Sequence, residues 1–141
     1  MGYSLRPWQT EDTAALHKLK SYAYTAASME KSSKVYPYAV EKEGQTVGLA
    51  AASVQDTGGE LFLCLLPPVE ETDEIAEFIR ELCEIQFQQG VEKVYAQVLS
   101  VCEAEIDALE AAGFQSQGIL RQTLPDGKKI VDFCVYVLAR P

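Results

Sequence analysis

The chain has 141 residues, 48% of them hydrophobic, with 12 basic and 21 acidic side chains and a net charge of −9. That length and apolar content suffice for one domain with a real core and exclude a disordered chain. The acidic balance excludes nonspecific DNA or RNA binding, which needs basic groups to displace counterions from phosphates, and is compatible with a cationic or amine partner.

Tyr3–Trp8 reads as a short strand stopped near Pro7. Thr10–Lys20 has helical spacing: Ala14, Ala15, Leu16 and Leu19 share a face, and Thr10 or Asp12 can cap it. Ser21–Ser33 is small and polar, with Tyr22, Tyr24 and Met29 spaced through it, and both a second helix and a mobile lid fit. Pro37–Val40 and Thr46–Val54 flank the polar, glycine-containing stretch Glu41–Gln45 and predict a hairpin. After a turn at Asp56-Thr57-Gly58-Gly59, the run Glu60–Leu66 is apolar at nearly every position, as in a central strand covered on both faces. Pro67-Pro68 ends it.

Asp73–Gln89 carries the strongest helical pattern. Ile75, Phe78, Ile79, Leu82 and Cys83 form one stripe, while Glu74, Glu77, Glu81 and Glu84 lie mostly off it. Gly90 stops this helix. Val91–Leu99 alternates as a strand, Cys102–Ala112 is a helix closed by Gly113, and Gly118–Leu124 and Ile130–Leu138 are strands joined by a turn at Pro125-Asp126-Gly127. Strand, helix and strand in succession over Glu60–Leu99 imply a right-handed crossover between parallel strands. Hairpins on either side make the sheet mixed, and no repeat or linker divides residues 1–141, so a single α/β domain is expected.

No apolar run reaches the roughly 18–20 residues of a membrane helix; the longest, Leu61–Val69, is short and contains two prolines. The first six residues lack the order of a secretion signal, and Arg6 stands where a myristoylation motif has Ser or Thr, so a cytoplasmic location and no membrane partner are expected. Cys64, Cys83, Cys102 and Cys134 are scattered, with no Cys-x-x-Cys pair, and His17 is the only histidine. Reduced, packed thiols and no metal site follow from that spacing.

The stretch "GVEKVYAQVLSVCEAEIDALEAAGFQSQGILRQTLPDGKKIVDFCVYVL" resembles the last third of a GCN5-related N-acetyltransferase, especially the ribosomal-protein alanine acetyltransferase branch. "RPWQTEDTAAL" is similar to the first strand and helix of that family, and "YAVEKEGQTVGLAAASV" to its second and third strands. The resemblance implies the acyl-CoA N-acyltransferase fold, a mostly antiparallel sheet whose central parallel strands splay apart. It implies transfer of acetyl from acetyl-CoA to a small amine or a peptide N-terminus. The alternative is a noncatalytic member that has lost CoA binding and serves as a ligand-binding, dimerising or regulatory module. A homodimer is compatible with either, and a third reading is an acidic face that recognises a basic peptide.

In the family the pantetheine arm lies against the fourth-strand backbone, here Leu63, Cys64, Leu65 and Leu66. The pyrophosphate is held by backbone amides of a loop rich in small residues that opens the next helix; helix N-termini supply unpaired N–H donors. Here that loop falls on Glu71, Thr72, Asp73 and Glu74, and the small-residue positions are Glu71, Asp73 and Ile75. Carboxylates at Glu70, Glu71, Asp73 and Glu74 surround the expected diphosphate, and each like-charge pair near 4 Å costs about 1 kcal/mol even in bulk water. The ordinary reading of such acids is a helix start stabilised through its dipole, by about 0.3–1 kcal/mol each. Cys102 matches the position of an Asn that contacts the cofactor or a catalytic water, and Leu109 that of a Tyr acid. The candidate catalytic residues are therefore Glu60, as a base acting through water, Ser100 and Cys102 at the fifth-strand exit, and Tyr136 in the last strand. The ordinary readings are a solvated strand-edge acid for Glu60, a packed or capping thiol for Cys102 and a core ring for Tyr136. Tyr22, Tyr24, Tyr36 and Tyr38 are placed to line an acceptor pocket.

Overall fold

The computed structural model describes residues 2–32, 34–55, 58–123 and 130–141. Seven strands form one sheet: β1 (Tyr3–Pro7), β2 (Val35–Lys42), β3 (Gln45–Gln55), β4 (Gly58–Leu65), β5 (Lys93–Leu99), β6 (Gln115–Thr123) and β7 (Ile130–Ala139). Their spatial order is β1-β2-β3-β4-β5-β7-β6, and every neighbouring pair is antiparallel except β4–β5. The helices are α1 (Thr13–Leu16), α2 (Lys20–Glu30), α3 (Thr72–Gln88) and α4 (Glu103–Ala111). Strand order, the parallel pair and the helix positions match the mixed sheet expected from the sequence. The expected turns at Asp56-Thr57 and Pro125-Asp126-Gly127, with Ser33 and Leu124, lie outside the described residues.

The apolar stripe of α3 explains its place. Ile75, Ile79, Leu82 and Cys83 are buried with Leu61, Leu63 and Leu65 of β4 and with Val94, Ala96 and Val98 of β5. Each large aliphatic side chain buried in this way contributes about 1.5–3 kcal/mol. α4 adds Ala108 and Leu109 to the same core. Alternation along β4 sends Phe62 and Cys64 to the other face, where Cys64 packs with Leu16 of α1, Leu49 of β3 and side chains of α2. β4 is thus covered on both sides, as its unbroken apolar run requires.

The β2–β3 hairpin turns at Glu43 and Gly44, both at positive φ (54° and 79°), with Lys42 opposite Gln45. This is the two-residue turn whose twist suits a hairpin. β6 is an edge strand, exposed along nearly its whole length, and a bulge between Ser116 and Gly118 interrupts its register with β7.

The first helical segment departs from expectation. In place of one helix over Thr10–Lys20 there is a 3-10 turn at Thr10–Asp12, the four-residue α1, a break at His17–Leu19, and then α2. Ala14 and Ala15 are exposed and only Leu16 reaches the core. The cause is Asp12, which is buried in place of capping a long helix at the surface. Arg6 Nη1 and Nη2 donate to its two oxygens at 2.9 and 2.7 Å, the Thr46 hydroxyl donates to it, and the Gln9 N–H donates at 2.8 Å. The Arg6 guanidinium holds this carboxyl far below the usual carboxylate range. Tying Asp12 to β1 and β3 fixes the chain direction there and leaves α1 only one turn. The ambiguous segment Ser21–Ser33 is helical through Glu30.

Candidate active site

β4 and β5 pair only through Gly59↔Val94, Glu60↔Tyr95 and Leu61↔Ala96. Beyond these residues the strands diverge, although β4 stays bonded to β3 as far as Leu65 and β5 stays bonded to β7 as far as Leu99. The result is a wedge through the middle of the sheet. Leu66 donates its N–H to Val47 O at 2.8 Å, so by the alternation of an antiparallel ladder Leu63 and Leu65 turn their N–H and C=O groups into the wedge. Those groups have no strand to pair with there. An extended chain carrying amides fits such an edge, as a strand added to a sheet does.

At the apex of the wedge, on the α2 face, lies a cavity of about 420 Å³. Tyr24 and Lys31 reach it from the α2 end, Gln55 and Glu60 from β3 and β4, and Tyr95 and Gln97 from β5. Glu60 is half-buried, and the Gln55 amide donates to its carboxylate. Burial pushes this carboxyl above its ordinary range, and the Gln55 bond offsets part of the rise. The Tyr24 hydroxyl donates to Gln97 Oε1 at 2.8 Å, and its ring stacks on the buried Phe133 at 4.0 Å between centroids. Burial, and to a lesser degree the negative charge of Glu60, raises the Tyr24 pKa, with Ser28 opposing. Beneath Glu60, on the α3 face, Gln86 Nε2 donates to the Glu60 carbonyl at 3.3 Å. A Cβ on Gly59 would meet Gln86 Oε1 at 1.9 Å, so only glycine lets that amide lie under the strand.

Further along the wedge the chain brings four polar side chains together. Ser21 Oγ lies 3.3 Å from Cys64 Sγ and also bonds the Cys102 thiol. Glu105, 3% exposed, bonds Cys102, its own backbone N–H and the backbone N–H of Leu65. Burial, followed by the Glu105 charge, pushes the Cys102 thiol up to about 12, and burial does the same for Cys64. Both thiols are therefore held protonated and are poor nucleophiles near neutral pH.

The sequence-derived candidates are dispersed around this wedge. Glu60 faces the cavity. Ser100 is exposed just past β5, its N–H donating to Asp132 O at 2.9 Å. Cys102 is the residue before α4, half-buried in the wedge. Tyr136 is on the opposite face of the sheet from the cavity, where its hydroxyl donates to Glu110 Oε2 at 3.1 Å and its pKa rises to about 12 through burial and then Glu110. Among the cofactor candidates, Leu63 and Leu65 offer backbone to the wedge while their side chains lie in the core under α3; Cys64 points to α2, and Leu66 follows the strand. Glu71, Thr72, Asp73 and Glu74 form the start of α3, where Glu71 makes no side-chain cap bond. Glu74 turns away to accept the Tyr3 N–H at 3.1 Å, anchoring β1.

Of the four tyrosines singled out as pocket-lining, Tyr24 does so here. Tyr22 stacks on Trp8 at 6.3 Å beside a separate apolar cavity, Tyr38 packs against the core, and Tyr36 is 54% exposed. Gln97, Lys31 and Glu105 escaped the sequence reading. The polar positions Tyr95 and Gln97, alternating with apolar Val94, Ala96 and Val98, were the available signal for the β5 wall.

Among the described residues, no group of three or more His, Cys, Asp or Glu is arranged to hold a metal ion, and no helix is long and apolar enough to cross a membrane. The fold is similar to that of the ribosomal-protein-S18-alanine N-acetyltransferase from Escherichia coli (17% identity, 98% of this chain and 94% of that one, TM-score 0.66). It is similar also to aminoglycoside acetyltransferase AAC(6')-Ib in complex with coenzyme A (19% identity, 99% and 95%, TM-score 0.60). The same enzyme with ribostamycin and coenzyme A gives 18% identity, 99% and 94% coverage and a TM-score of 0.62. No curated protein matches the chain in sequence. The family model for the acetyltransferase (GNAT) domain matches residues 4–135. A sheet split between its two parallel strands, under a family model that spans nearly all of the chain, places this protein in the GNAT acetyltransferase family.

Proposed function

We propose that the chain is an N-acetyltransferase that moves acetyl from acetyl-CoA to a small amine or a peptide N-terminus. One observation carries this reading: the wedge between β4 and β5 opens at its apex into the cavity that holds Glu60, with Leu61, Leu63, Ala96 and Gln97 lining the junction. An acyl donor's arm in the wedge and an amine in the cavity would meet there, and positioning two substrates is the larger part of what this reaction asks of a protein.

The open backbone of Leu63 and Leu65 fits the amides of a pantetheine arm. Acetyl-CoA supplies an activated thioester: the amine forms a C–N bond to its carbonyl carbon, the C–S bond breaks, and the sulfur leaves as a thiolate that takes up a proton. Glu60 accepts the proton that the ammonium must lose, directly or through water, and its raised pKa strengthens it as a base. Tyr24 and Gln97, locked to each other, shape the opposite wall and orient the acceptor. Ser100 and Cys102 flank the exit of β5 without an activating partner among the described residues.

A second reading, a member that no longer binds CoA, draws on the acidic start of α3 and on Glu105 in the wedge. Titration of acetyl-CoA by calorimetry separates the two. Binding at micromolar to millimolar cofactor, followed by acetylation of amines in a coupled thiol assay, supports the enzyme; no heat at millimolar cofactor would sink it. Glu71→Gly with Asp73→Gly is expected to tighten binding by removing charge from the diphosphate's surroundings.

A further inference from the structure

Glu105 is the third residue of α4, and the neighbouring acids Glu103 and Asp107 are exposed, as acids on a short surface helix usually are. Glu105 is buried instead. It forms no salt bridge among the described residues, and its contacts are a thiol and two backbone N–H groups. A buried carboxyl without a cation is costly to keep. The start of α4 does not require it, because Glu103 already offers a charge to the helix dipole. What Glu105 does satisfy is the N–H of Leu65, one of the β4 groups left open by the wedge.

We propose that Glu105 is an internal occupant of the wedge, competing with the acyl donor's arm for the open edge of β4 and so setting the donor affinity of this protein. The proposal rests on the reading above that the arm lies in this wedge. When a ligand amide takes the Leu65 N–H, the carboxylate moves out from the first turn of α4 to water and recovers its hydration. Ser21, Cys64 and Cys102 form the rest of the occupant: they bridge from α2 to α4 through the sheet, and the Ser21 and Cys102 groups hold Glu105 from behind. Burial raises the Glu105 pKa, in keeping with a carboxyl whose more stable place, when charged, is outside.

The test is calorimetric titration of acetyl-CoA into the wild-type chain and into Glu105→Ala, with circular dichroism to show that both are folded. Removing one charge-assisted competitor is expected to tighten binding about tenfold. If the wild type binds and folded Glu105→Ala binds equally or more weakly, the occupant is refuted while the acetyltransferase reading stands. If neither binds at millimolar acetyl-CoA, both fall. Should the alanine variant fail to fold, the wild type itself decides through the Glu105 side-chain carboxyl resonance. On saturation with acetyl-CoA its titration is expected to drop toward the ordinary carboxylate range, and an unchanged titration in the bound state overturns the proposal.

Discussion

Glu60 and Glu105 are both carboxyls raised by burial, and they stand at two ends of one gap between parallel strands. Their surroundings differ in kind. Glu60 has a fixed amide partner in Gln55 and an open cavity in front of it. Glu105 has no cavity; it is pressed against a thiol and a strand edge. The same side chain is therefore available to an incoming proton at one end and stands in a ligand's path at the other. A raised pKa does not by itself mark a catalytic group, and the free volume beside it separates the two cases.

The comparison breaks most visibly at Glu60. Glu60→Gln keeps the shape and the Gln55 contact but removes the base, so kcat/KM should fall by about 10²–10⁴ with unchanged far-UV circular dichroism. A loss of less than a few-fold would move the chemistry out of the cavity. Next in size is Gly59→Ala, whose Cβ would strike Gln86 Oε1. We expect a loss of about 1–3 kcal/mol in urea denaturation. Gln86→Ala should recover part of it in the double mutant, since the clash requires both side chains.

Glu105 separates from Glu60 in its effect on stability. Its folded pKa lies above the unfolded value, so the folded state binds more protons in the window between them. Stability from this group is present below the ordinary carboxylate range and is lost as pH rises through the folded pKa. Glu105→Gln should therefore raise Tm at pH 7, by about 3–5 °C for each kcal/mol relieved, and the gain should vanish near pH 3. An equal gain at both pH values would mean that packing, and not charge, is responsible. The smallest effect is expected at Tyr24→Phe, which loses the bond to Gln97. KM for the acceptor should rise about two- to fivefold with kcat nearly unchanged, and stability should drop by about 1 kcal/mol or less.

Much of the frame was legible in the sequence because one-dimensional patterns carry it. The α3 stripe, the unbroken apolar run of β4 and the polar turn at Glu43-Gly44 each have a local cause. The broken first helix was not legible, because an Asp near a helix start reads as a cap; its burial depends on Arg6 and on Thr46, 34 residues away. The helix α2 lacked a stripe because it docks through small and polar residues, with Thr25 alone fully buried. Periodicity also says nothing about where two strands cease to pair, so the depth of the wedge came only with the register of β4 and β5. Glu105 was missed for a related reason. On a surface helix, an acid turned inward and an acid turned outward look alike until the neighbouring strand edge is in place.

The edge strand β6 has a consequence of its own. Its outer rim is the kind of template onto which another chain can lay a strand. The bulge between Ser116 and Gly118 breaks the even spacing of its ladder near one end, and Arg121, paired with Asp132, places charge near the other. A newcomer could align over only a few residues before losing register. The sheet is thereby given a border, and association through this rim is held to short, exchangeable contacts instead of open-ended growth.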